Sequence, residues 1–342
     1  MPVIATLTMN PTIDVAYEVE TVFHTHKIRT THEYYNPGGG GINVGRVVNR
    51  LGGKAHCVYL SGGATGRTLD DLIGLHKLEH THIPVAGDTR IAMTALEHST
   101  GKEYRFTPQG PLVHEAEWLA CLTVLGQLDC SYLVISGSLP PGVPGDFYAT
   151  VARLMAGRGI PVVLDTSGDA LRLGLPGGGV DLVKPSKGEL ETLVGTPLET
   201  ADVLADAAMS LVGRGQAKMV AVTMGHEGAL LAHGAGTVFL PAPPIDAKSA
   251  VGAGDSFVAG MVFALATGQS ETDAFRFGVA AGSAAVFLRP APDRASWSAA
   301  GRGGWGAAAR SGPPRPRFSS PYFHRALSPA SFSPNPAAPS AR

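Results

Sequence analysis

The sequence predicts an α/β protein in which a largely parallel sheet lies between two layers of helices. Short apolar runs of strand length alternate along the chain with longer segments whose apolar residues recur at helical spacing. Glycine-rich turns separate many of these runs, and Gly accounts for 44 of the 342 residues. Strand and helix alternation is typical of βαβ units with right-handed crossovers, which produce parallel strands.

The predicted strands of this sheet share a short, continuous apolar stretch. They are Val3–Leu7, Val58–Leu60, Tyr132–Ile135, Pro161–Asp165, Val180–Val183 and Met219–Thr223. The first strand is followed by Asn10–Asp14, which we interpret as a turn. Ligands of open α/β sheets collect at the carboxyl ends of strands, so Asp14 is a candidate site residue. The residues alone leave open that Asp14 only forms the turn.

Four consecutive glycines, Gly38–Gly41, lead directly into an apolar-patterned helix over Ile42–Leu51. Glycines before a helix allow a ligand to approach the backbone closely, and Asn43 offers an amide to hydroxyl groups. The alternative is a flexible linker. A second glycine turn, Ser61–Gly66, precedes another helix.

Two regions, within about 15–35 and 88–108, predict a small second sheet that we call the lid. The first alternates apolar and polar residues and carries Lys27, while Arg90–Leu96 and Glu103–Phe106 have the pattern of a hairpin. Arg90 and Arg105 taken singly are equally explained as solvated strand charges.

Polar loops follow the later strands of the main sheet. A helix over Glu115–Leu128 precedes the strand that ends at Ser136–Gly142, and Lys184–Glu189 follows the strand at Val180–Val183. We predict that Glu189 opens the next helix. These loops fall at the edge where a parallel sheet binds ligands.

Residues 249–257 predict an anion-binding turn. Gly252 and Gly254 free the backbone to turn and expose successive N–H groups, and we expect a helix to start at Asp255 with its positive end at the same place. A carboxylate there would repel a bound phosphate unless it served as a base during transfer. The alternative is that Asp255 is only the N-cap of a buried helix.

Charge and composition exclude several classes of protein. Residues 289–342 contain eight Arg, no Lys and one Asp, so the net charge of −1 divides into +7 for this tail and −8 for residues 1–288. An acidic body argues against nucleic-acid binding through a broad basic face. No apolar run approaches the ~20 residues that span a bilayer, and no signal peptide begins the chain, so we expect a cytoplasmic protein without a membrane partner.

Other cofactor signatures are missing from the sequence. It contains neither the P-loop pattern nor a dinucleotide fingerprint after a strand, and its 12 His and three Cys show no metal-ligand spacing. A nicotinamide-dependent oxidoreductase on a similar sheet is therefore disfavoured.

In four stretches, both the residues and their order match one family. These stretches are Gly38–Asn43, Ile135–Gly142, Leu182–Glu189 and Val251–Asp255. On these motifs the chain resembles the ribokinase-like sugar kinases of the PfkB family over residues 3 to about 287. Further likenesses at Pro37–Val44, Gly62–Gly66 and Phe277–Ala285 point to the phosphosugar branch, which contains the 6-phosphofructokinases.

The resemblance implies a three-layer ribokinase-like sandwich with a β lid, and ATP-dependent phosphorylation of fructose 6-phosphate at its C1 hydroxyl, a step of glycolysis. It implies that Asp255 deprotonates the hydroxyl while the amides of the Gly252, Ala253 and Gly254 turn stabilise the transferring phosphoryl group. The sugar-phosphate residues that it implies are Asp14, Lys27, Gly39, Gly40, Asn43, Arg90, Arg105 and Ser138. The nucleotide residues that it implies are Lys184, Ser186, Thr223, Gly225, Gly228, Val279 and Ser283.

The resemblance also implies metals and a partner. Glu189 would orient water around Mg²⁺, and Ser249, Val251 and Ala285 would form part of a K⁺ site. A homodimer through the lid is implied in the same way. Fructose 1-phosphate or tagatose 6-phosphate kinase is the alternative within the family, since those relatives share the glycine and anion-hole motifs.

The chain departs from the family in two places. Ser186 stands where the family usually has Asn, and after Phe287 the family's closing loop and helix are replaced by a segment rich in Ala, Arg, Gly, Pro and Ser. This segment, 288–342, lacks Val and Ile, and we predict that it is a disordered tail. We hypothesise a change of reading frame near codon 287. The loss of the closing segment leaves a catalytically impaired sugar-phosphate or ATP binder as a further alternative.

Overall fold

A nine-stranded sheet runs through the described part of the chain, which in this computed structural model comprises residues 1–243 and 252–287. The strands are β1 (Val3–Thr8), β2 (Thr12–Val19), β3 (His32–Gly38), β4 (Lys54–Ser61), β5 (Glu79–Pro84), β6 (Arg90–Glu97), β7 (Glu103–Phe106), β8 (Tyr132–Ser136), β9 (Val162–Asp165), β10 (Leu182–Val183), β11 (Met219–Thr223), β12 (Ala229–His233) and β13 (Gly236–Leu240). The helices are α1 (Gly40–Arg50), α2 (Gly63–Leu75), α3 (Glu115–Gln127), α4 (Phe147–Ala156), α5 (Gly168–Gly174), α6 (Lys187–Val194), α7 (Ala201–Gly213), α8 (Ala253–Ala266) and α9 (Glu271–Phe287).

The main sheet has the order β13-β12-β11-β10-β9-β8-β1-β4-β5. Every pair from β11 to β5 is parallel, whereas β12 and β13 form an antiparallel hairpin at one edge. The predicted mostly parallel sheet is therefore confirmed. This topology brings the carboxyl ends of β1, β8, β9, β10 and β11 to one edge.

Alternating side chains divide the core into two halves, one on each face of the sheet. Leu133 and Ile135 of β8 pack among residues of α3, α4, α5, α6 and α7, while the intervening Val134 packs with α1, α8 and α9. All three side chains are fully buried, as expected where helices cover both faces of a parallel sheet. The predicted three layers are present.

The lid consists of β2, β3, β6 and β7 in the order β3-β2-β6-β7. Its central pair β2 and β6 is parallel, and the two outer pairs are antiparallel. Ile13 and Val15 of β2 are buried against α2, which ties the lid to the body. The first strand pair reaches beyond the predicted 15–35, from Thr12 to Gly38, and residues 20–31 between these strands form a loop that carries the exposed Lys27.

Asn10–Asp14 was predicted as a turn, and that prediction is wrong from Thr12 onward. Thr12 and Asp14 belong to β2, where they pair with Arg90 and Ala92 of β6. Ile13 and Val15 are apolar on one face and Asp14 is polar on the other, which is the period of a strand. Pro11 explains why the pattern was interpreted as a turn.

No helix of the described residues is long and apolar enough to cross a membrane.

Candidate active site

The amino end of α8 forms the centre of the site. Gly252 is its N-cap in a left-handed conformation (φ 76°), so the helix begins at Ala253 and not, as predicted, at Asp255. Gly is the residue that adopts this conformation without strain. The first-turn amides of Ala253 and Gly254 have no partner within the helix, and they form the positive end of its dipole. The N-cap role that was the alternative for Asp255 is thus taken by Gly252.

Asp255 occupies the third position of α8, and its carboxylate is held by α1. Asn43 Nδ2 donates to Asp255 Oδ2 at 3.0 Å. Burial, with a smaller contribution from the nearby Asp165, raises the pKa of Asp255 to about 7, against the opposing effects of Asn43 and Lys184. A carboxyl group with a pKa near neutrality is suited to taking a proton from a hydroxyl group at physiological pH.

Gly40 lies where α1 meets this carboxylate. A Cβ at Gly40 would collide with Ser136 Oγ and would lie 3.3 Å from Asp255 Oδ1. Gly39 has a φ of 111°, and a Cβ there would lie 2.7 Å from Thr8 Cγ2. The glycine turn therefore packs against β1 and the end of β8. Because its residues lack side chains, its backbone lies close to the carboxylate of Asp255.

Lys184 follows β10 and supplies a buried cation to the site. Its Nζ lies 3.0 Å from Asp165 Oδ1 at the end of β9, and a Cβ at Gly254 would lie 3.6 Å from Lys184 Nζ. Burial lowers the pKa of Lys184, but the carboxylates of Asp165, Glu189 and Asp255 together raise it, so that the side chain stays charged. Its ammonium group lies next to the anion-binding turn.

Asp165 was missed as a site residue by the sequence reasoning, which used it only as the end of a strand. Ser136 Oγ also donates to Asp165 Oδ2, at 3.4 Å. The signal available in the sequence was its position as the last residue of a core strand in a parallel sheet, the same argument that selected Asp14.

Asp14 lies on β2 of the lid beside the glycine turn. A Cβ at Gly38 would collide with the Asp14 carboxylate, so Gly38 allows this group to lie against the backbone. Burial raises the pKa of Asp14 to about 6, while the positive charges of Arg90 and Arg46 act in the opposite direction. The negative charge of Asp14 also raises the pKa of Asp255, so the two carboxylates interact electrostatically.

Arg90 is the first residue of β6, and its guanidinium group donates hydrogen bonds to the loop after β1 and the loop after β7. Its Nη1 donates to Pro108 O at 2.9 Å and its Nη2 to Asn10 O at 2.7 Å. Asn10 Nδ2 in turn donates to Gln109 O at 2.8 Å and to Ser138 Oγ at 3.3 Å. A cavity of about 610 Å³ opens beside Arg90, between residues 86–90 and 108–112. Arg90 and Ser138, which were predicted to contact the sugar phosphate, are thus joined through Asn10.

The nucleotide residues predicted after β10 and β11 lie side by side. Ser186 forms an isolated parallel bridge with Thr223, and Thr223 N donates to Pro185 O at 3.0 Å. Gly225 and Gly228 have φ of 59° and 122° and bound a single 3₁₀ turn before β12. Val279 and Ser283 lie on α9, whose Gly282 packs against Ala253 O of the α8 first turn.

Glu189 does not open α6, and that prediction is wrong. Ser186 is the N-cap and accepts from Glu189 N at 3.3 Å, while Ser186 N donates to Glu189 Oε2 at 2.7 Å. This reciprocal pair is the capping box that the spacing Ser-x-x-Glu favours. The Ser that departs from the family pattern therefore keeps the helix cap.

The residues present fit a divalent metal that is held largely by phosphate and water. The described ranges, 1–243 and 252–287, contain no group of three His, Cys, Asp or Glu that could hold a metal ion. The capping bond uses one acceptor position of the Glu189 carboxylate, which leaves others for water. Mg²⁺ characteristically takes few protein carboxylates and keeps several waters.

The remaining predicted residues lie apart or outside the described ranges. Lys27 is exposed in loop 20–31, and Arg105 on β7 forms an ion pair with Glu103 (Nε to Oε1, 2.8 Å). Of the K⁺ site, Ala285 is part of α9, whereas Ser249 and Val251 fall outside the described residues, as does the predicted tail, 288–342.

A carboxylate of near-neutral pKa beside the first-turn amides of a helix and a lysine is the arrangement expected of enzymes that transfer a phosphoryl group to a hydroxyl. Residues 3–291 match the pfkB family carbohydrate kinase, and the chain belongs to this family. The family predicted from the motifs is confirmed.

Named relatives refine this assignment. The ATP-dependent 6-phosphofructokinase isozyme 2 of Mycobacterium tuberculosis strain CDC 1551 is 42% identical over 291 residues, which cover 84% of this chain and 85% of that protein. The 1-phosphofructokinase of Bacillus subtilis strain 168 is 33% identical over 285 residues, which cover 83% and 92%. The predicted likeness to the 6-phosphofructokinases of the phosphosugar branch is confirmed by the first of these.

Solved structures of related kinases share the fold of this chain. Phosphofructokinase-2 from Escherichia coli, solved with fructose-6-phosphate, with potassium and in a tetrameric inhibited form, is 36–37% identical and superposes with TM-scores of 0.80–0.82. The match covers 84–85% of this chain and 94–95% of that one. Ribokinase from Arabidopsis thaliana, at 22% identity, shares the fold with a TM-score of 0.67 over 84% of this chain and 93% of its own. The ribokinase-like fold is therefore confirmed.

Proposed function

We propose that this protein catalyses the ATP-dependent phosphorylation of fructose 6-phosphate at its C1 hydroxyl to give fructose 1,6-bisphosphate, a step of glycolysis. The observation that carries the proposal is the position of Asp255 within the first turn of α8, directly beside the amides of Ala253 and Gly254. Base and anion-binding groups are held by the same helical turn. The identities with 6-phosphofructokinases support the choice of sugar phosphate.

In the reaction, Asp255 accepts the proton of the C1 hydroxyl as its oxygen forms a bond to the γ-phosphorus. The bond between that phosphorus and the β–γ bridging oxygen breaks, and ADP leaves with the electron pair. The amides of Ala253 and Gly254 and the ammonium group of Lys184 stabilise the charge on the transferring group. Asn43 holds the carboxylate of Asp255 in place through its 3.0 Å hydrogen bond.

Substrates would approach from two sides of this turn. Asp14, Gly39, Gly40 and Asn43 would hold the sugar hydroxyls, with Ser138 near the substrate. Arg90, Arg105 and Lys27 would face the 6-phosphate. Lys184, Ser186, Thr223, Gly225, Gly228, Val279 and Ser283 would contact ATP. Mg²⁺ would supply charge neutralisation on the nucleotide phosphates, with Glu189 orienting its water.

Three further features complete the proposal. The protein forms a homodimer through the lid, which light scattering tests against a monomer or tetramer. K⁺ supports activity, as the potassium complex of the E. coli relative suggests. Because ATP and sugar phosphates are metabolites of the cytoplasm, we place the enzyme there.

The test is a coupled ADP-release assay on purified protein with Mg²⁺ and K⁺, comparing fructose 6-phosphate, fructose 1-phosphate and tagatose 6-phosphate, beside Asp255→Asn. Turnover on fructose 6-phosphate that disappears in the variant supports the proposal. Preference for fructose 1-phosphate would favour the second candidate, a 1-phosphofructokinase, which the relative from B. subtilis supports. A folded protein that binds ATP but turns over none of the three would instead be an impaired binder.

A further inference from the structure

Glu97 is a buried carboxylate in the lid, far along the sheet from the catalytic turn. It is the last residue of β6, and only 4% of its surface is exposed. A carboxylate is costly to bury unless its oxygens accept hydrogen bonds, so its partners explain its presence.

The partners of Glu97 belong to two different segments. Val22 N donates to Glu97 Oε1 at 2.7 Å, which fixes the start of loop 20–31. The hydroxyls of Thr100 and Tyr104 both donate to Oε2, Tyr104 at 3.2 Å, and these residues form the turn and the strand that lead to Arg105. One side chain therefore joins the loop that carries Lys27 to the hairpin that carries Arg105.

Loop 20–31 depends on such attachments at its ends. Residues 23–30 are all exposed. At the far end Thr31 N donates to Glu18 O at 2.9 Å, and at the near end Ser99 N donates to Glu20 O at 3.0 Å. Among these bonds, that of Glu97 involves a charged acceptor, which makes it stronger than a neutral pair.

The ionised form of Glu97 is the one that these donors favour. The hydrogen bonds from Thr100 and Val22 lower the pKa of Glu97 below its usual value. The attachment is therefore intact across the pH range in which the enzyme would work.

We infer that Glu97 is a positioning residue for the lid cations, holding loop 20–31 and the β6–β7 hairpin in one arrangement so that Lys27 and Arg105 meet the phosphate of the sugar substrate. The inference rests on the proposed function, which assigns Lys27 and Arg105 to that phosphate. Glu97 itself touches no reacting group, so its influence falls on sugar-phosphate binding and leaves phosphoryl transfer and ATP binding unchanged.

The first test is Glu97→Gln, which keeps the size of the side chain. The amide has only one acceptor oxygen, so it cannot accept from Val22 and from the hairpin hydroxyls in the same way as the carboxylate. We expect the KM for fructose 6-phosphate to rise roughly five- to tenfold, with kcat and the KM for ATP nearly unchanged, because a displaced binding group loses only part of its contribution. Glu20→Gln is the matched control, since it makes the same chemical change at an exposed position two residues from Val22. An unchanged KM in Glu97→Gln, or an equal change in kcat, would overturn the inference.

A double-variant cycle with Lys27→Met separates positioning from general damage. If Glu97 acts through the loop, the fold increase in KM of the double variant Glu97→Gln, Lys27→Met should be well below the product of the fold increases of the two single variants. Independent, multiplying effects would contradict it. Thr100→Val, which removes one donor without touching the carboxylate, gives a smaller KM increase and serves if Glu97→Gln does not fold.

Hydrogen exchange distinguishes failure of this inference from failure of the proposed function. Faster exchange of the peptide that spans residues 20–31 in Glu97→Gln, with α1 and α8 unchanged, supports the attachment whether or not fructose 6-phosphate is the substrate. Exchange identical to the wild type would refute it. Absence of wild-type turnover on fructose 6-phosphate, by contrast, would count against the proposed function alone.

Discussion

Gly40→Ala tests whether the glycine turn is shaped for the site. Gly40 is the first residue of α1 and its φ is not positive, so alanine is compatible with the backbone and its effect is steric. The added Cβ would collide with Ser136 Oγ and would lie 3.0 Å from Ser136 Cβ and 3.3 Å from Asp255 Oδ1. Even if the hydroxyl rotates away, relaxing these contacts to about 3.5–4.0 Å requires a displacement of roughly 0.5–1 Å.

A shift of this size next to Asp255 should lower kcat/KM about 10- to 100-fold in the coupled assay. The matched control is Gly74→Ala, which has open space around the new Cβ and should leave kcat/KM unchanged. Adding Ser136→Ala to Gly40→Ala removes the colliding oxygen and should restore part of the activity. Full activity of Gly40→Ala would refute the argument that close packing here serves catalysis.

Other predictions concern protonation and helix capping. Asp255 must be ionised to accept a proton, so kcat/KM should fall about tenfold per pH unit below its pKa of about 7, and Asp165→Asn should move this limb to lower pH by removing a like charge. Because the pKa of Asp255 is higher in the folded than in the unfolded protein, ionisation of Asp255 destabilises the fold. This destabilisation is complete above about pH 7 and absent below about pH 4. Asp255→Asn should therefore melt at a higher temperature than wild type at pH 8, with no difference near pH 4. Ser186→Ala should cost about 1 kcal/mol and lower Tm by roughly 2–4 °C, whereas Ser186→Asn keeps the cap and the Tm.

The main sheet was predictable because its strands are apolar on both faces. Runs such as Tyr132–Ile135 and Met219–Thr223 carry their strand signal in composition alone, and both are core strands. β5 was missed because Glu79–Pro84 is an edge strand with only Ile83 fully buried, so its residues look like a polar loop. The signal weakens where only one side of a strand meets the core.

Element starts were less predictable because two interpretations competed for the same residues. In Ser186–Glu189 the acidic residue was placed first, although Ser-x-x-Glu also has the capping-box spacing that the structure contains. At Gly252–Asp255 the acidic residue again suggested the start, yet the positive φ of Gly252 supplied the cap. A carboxylate favours the whole first turn of a helix, so it does not by itself identify the first residue.

The chemistry of Asp255 depends on charges that no local pattern contains. Its pKa reflects burial together with Asp165 from β9, Lys184 after β10 and Asp14 from the lid, residues separated by up to 241 positions of the chain. The motif at Gly252–Asp255 could predict an anion site, and the resemblance could assign the base, but neither could say that Asp255 titrates near neutrality. That property arises only when parallel strands bring their carboxyl ends to one edge and the lid strand β2 brings Asp14 near them. Mutations at Asp165 or Asp14 should accordingly alter the pH dependence of a reaction in which neither residue exchanges the proton.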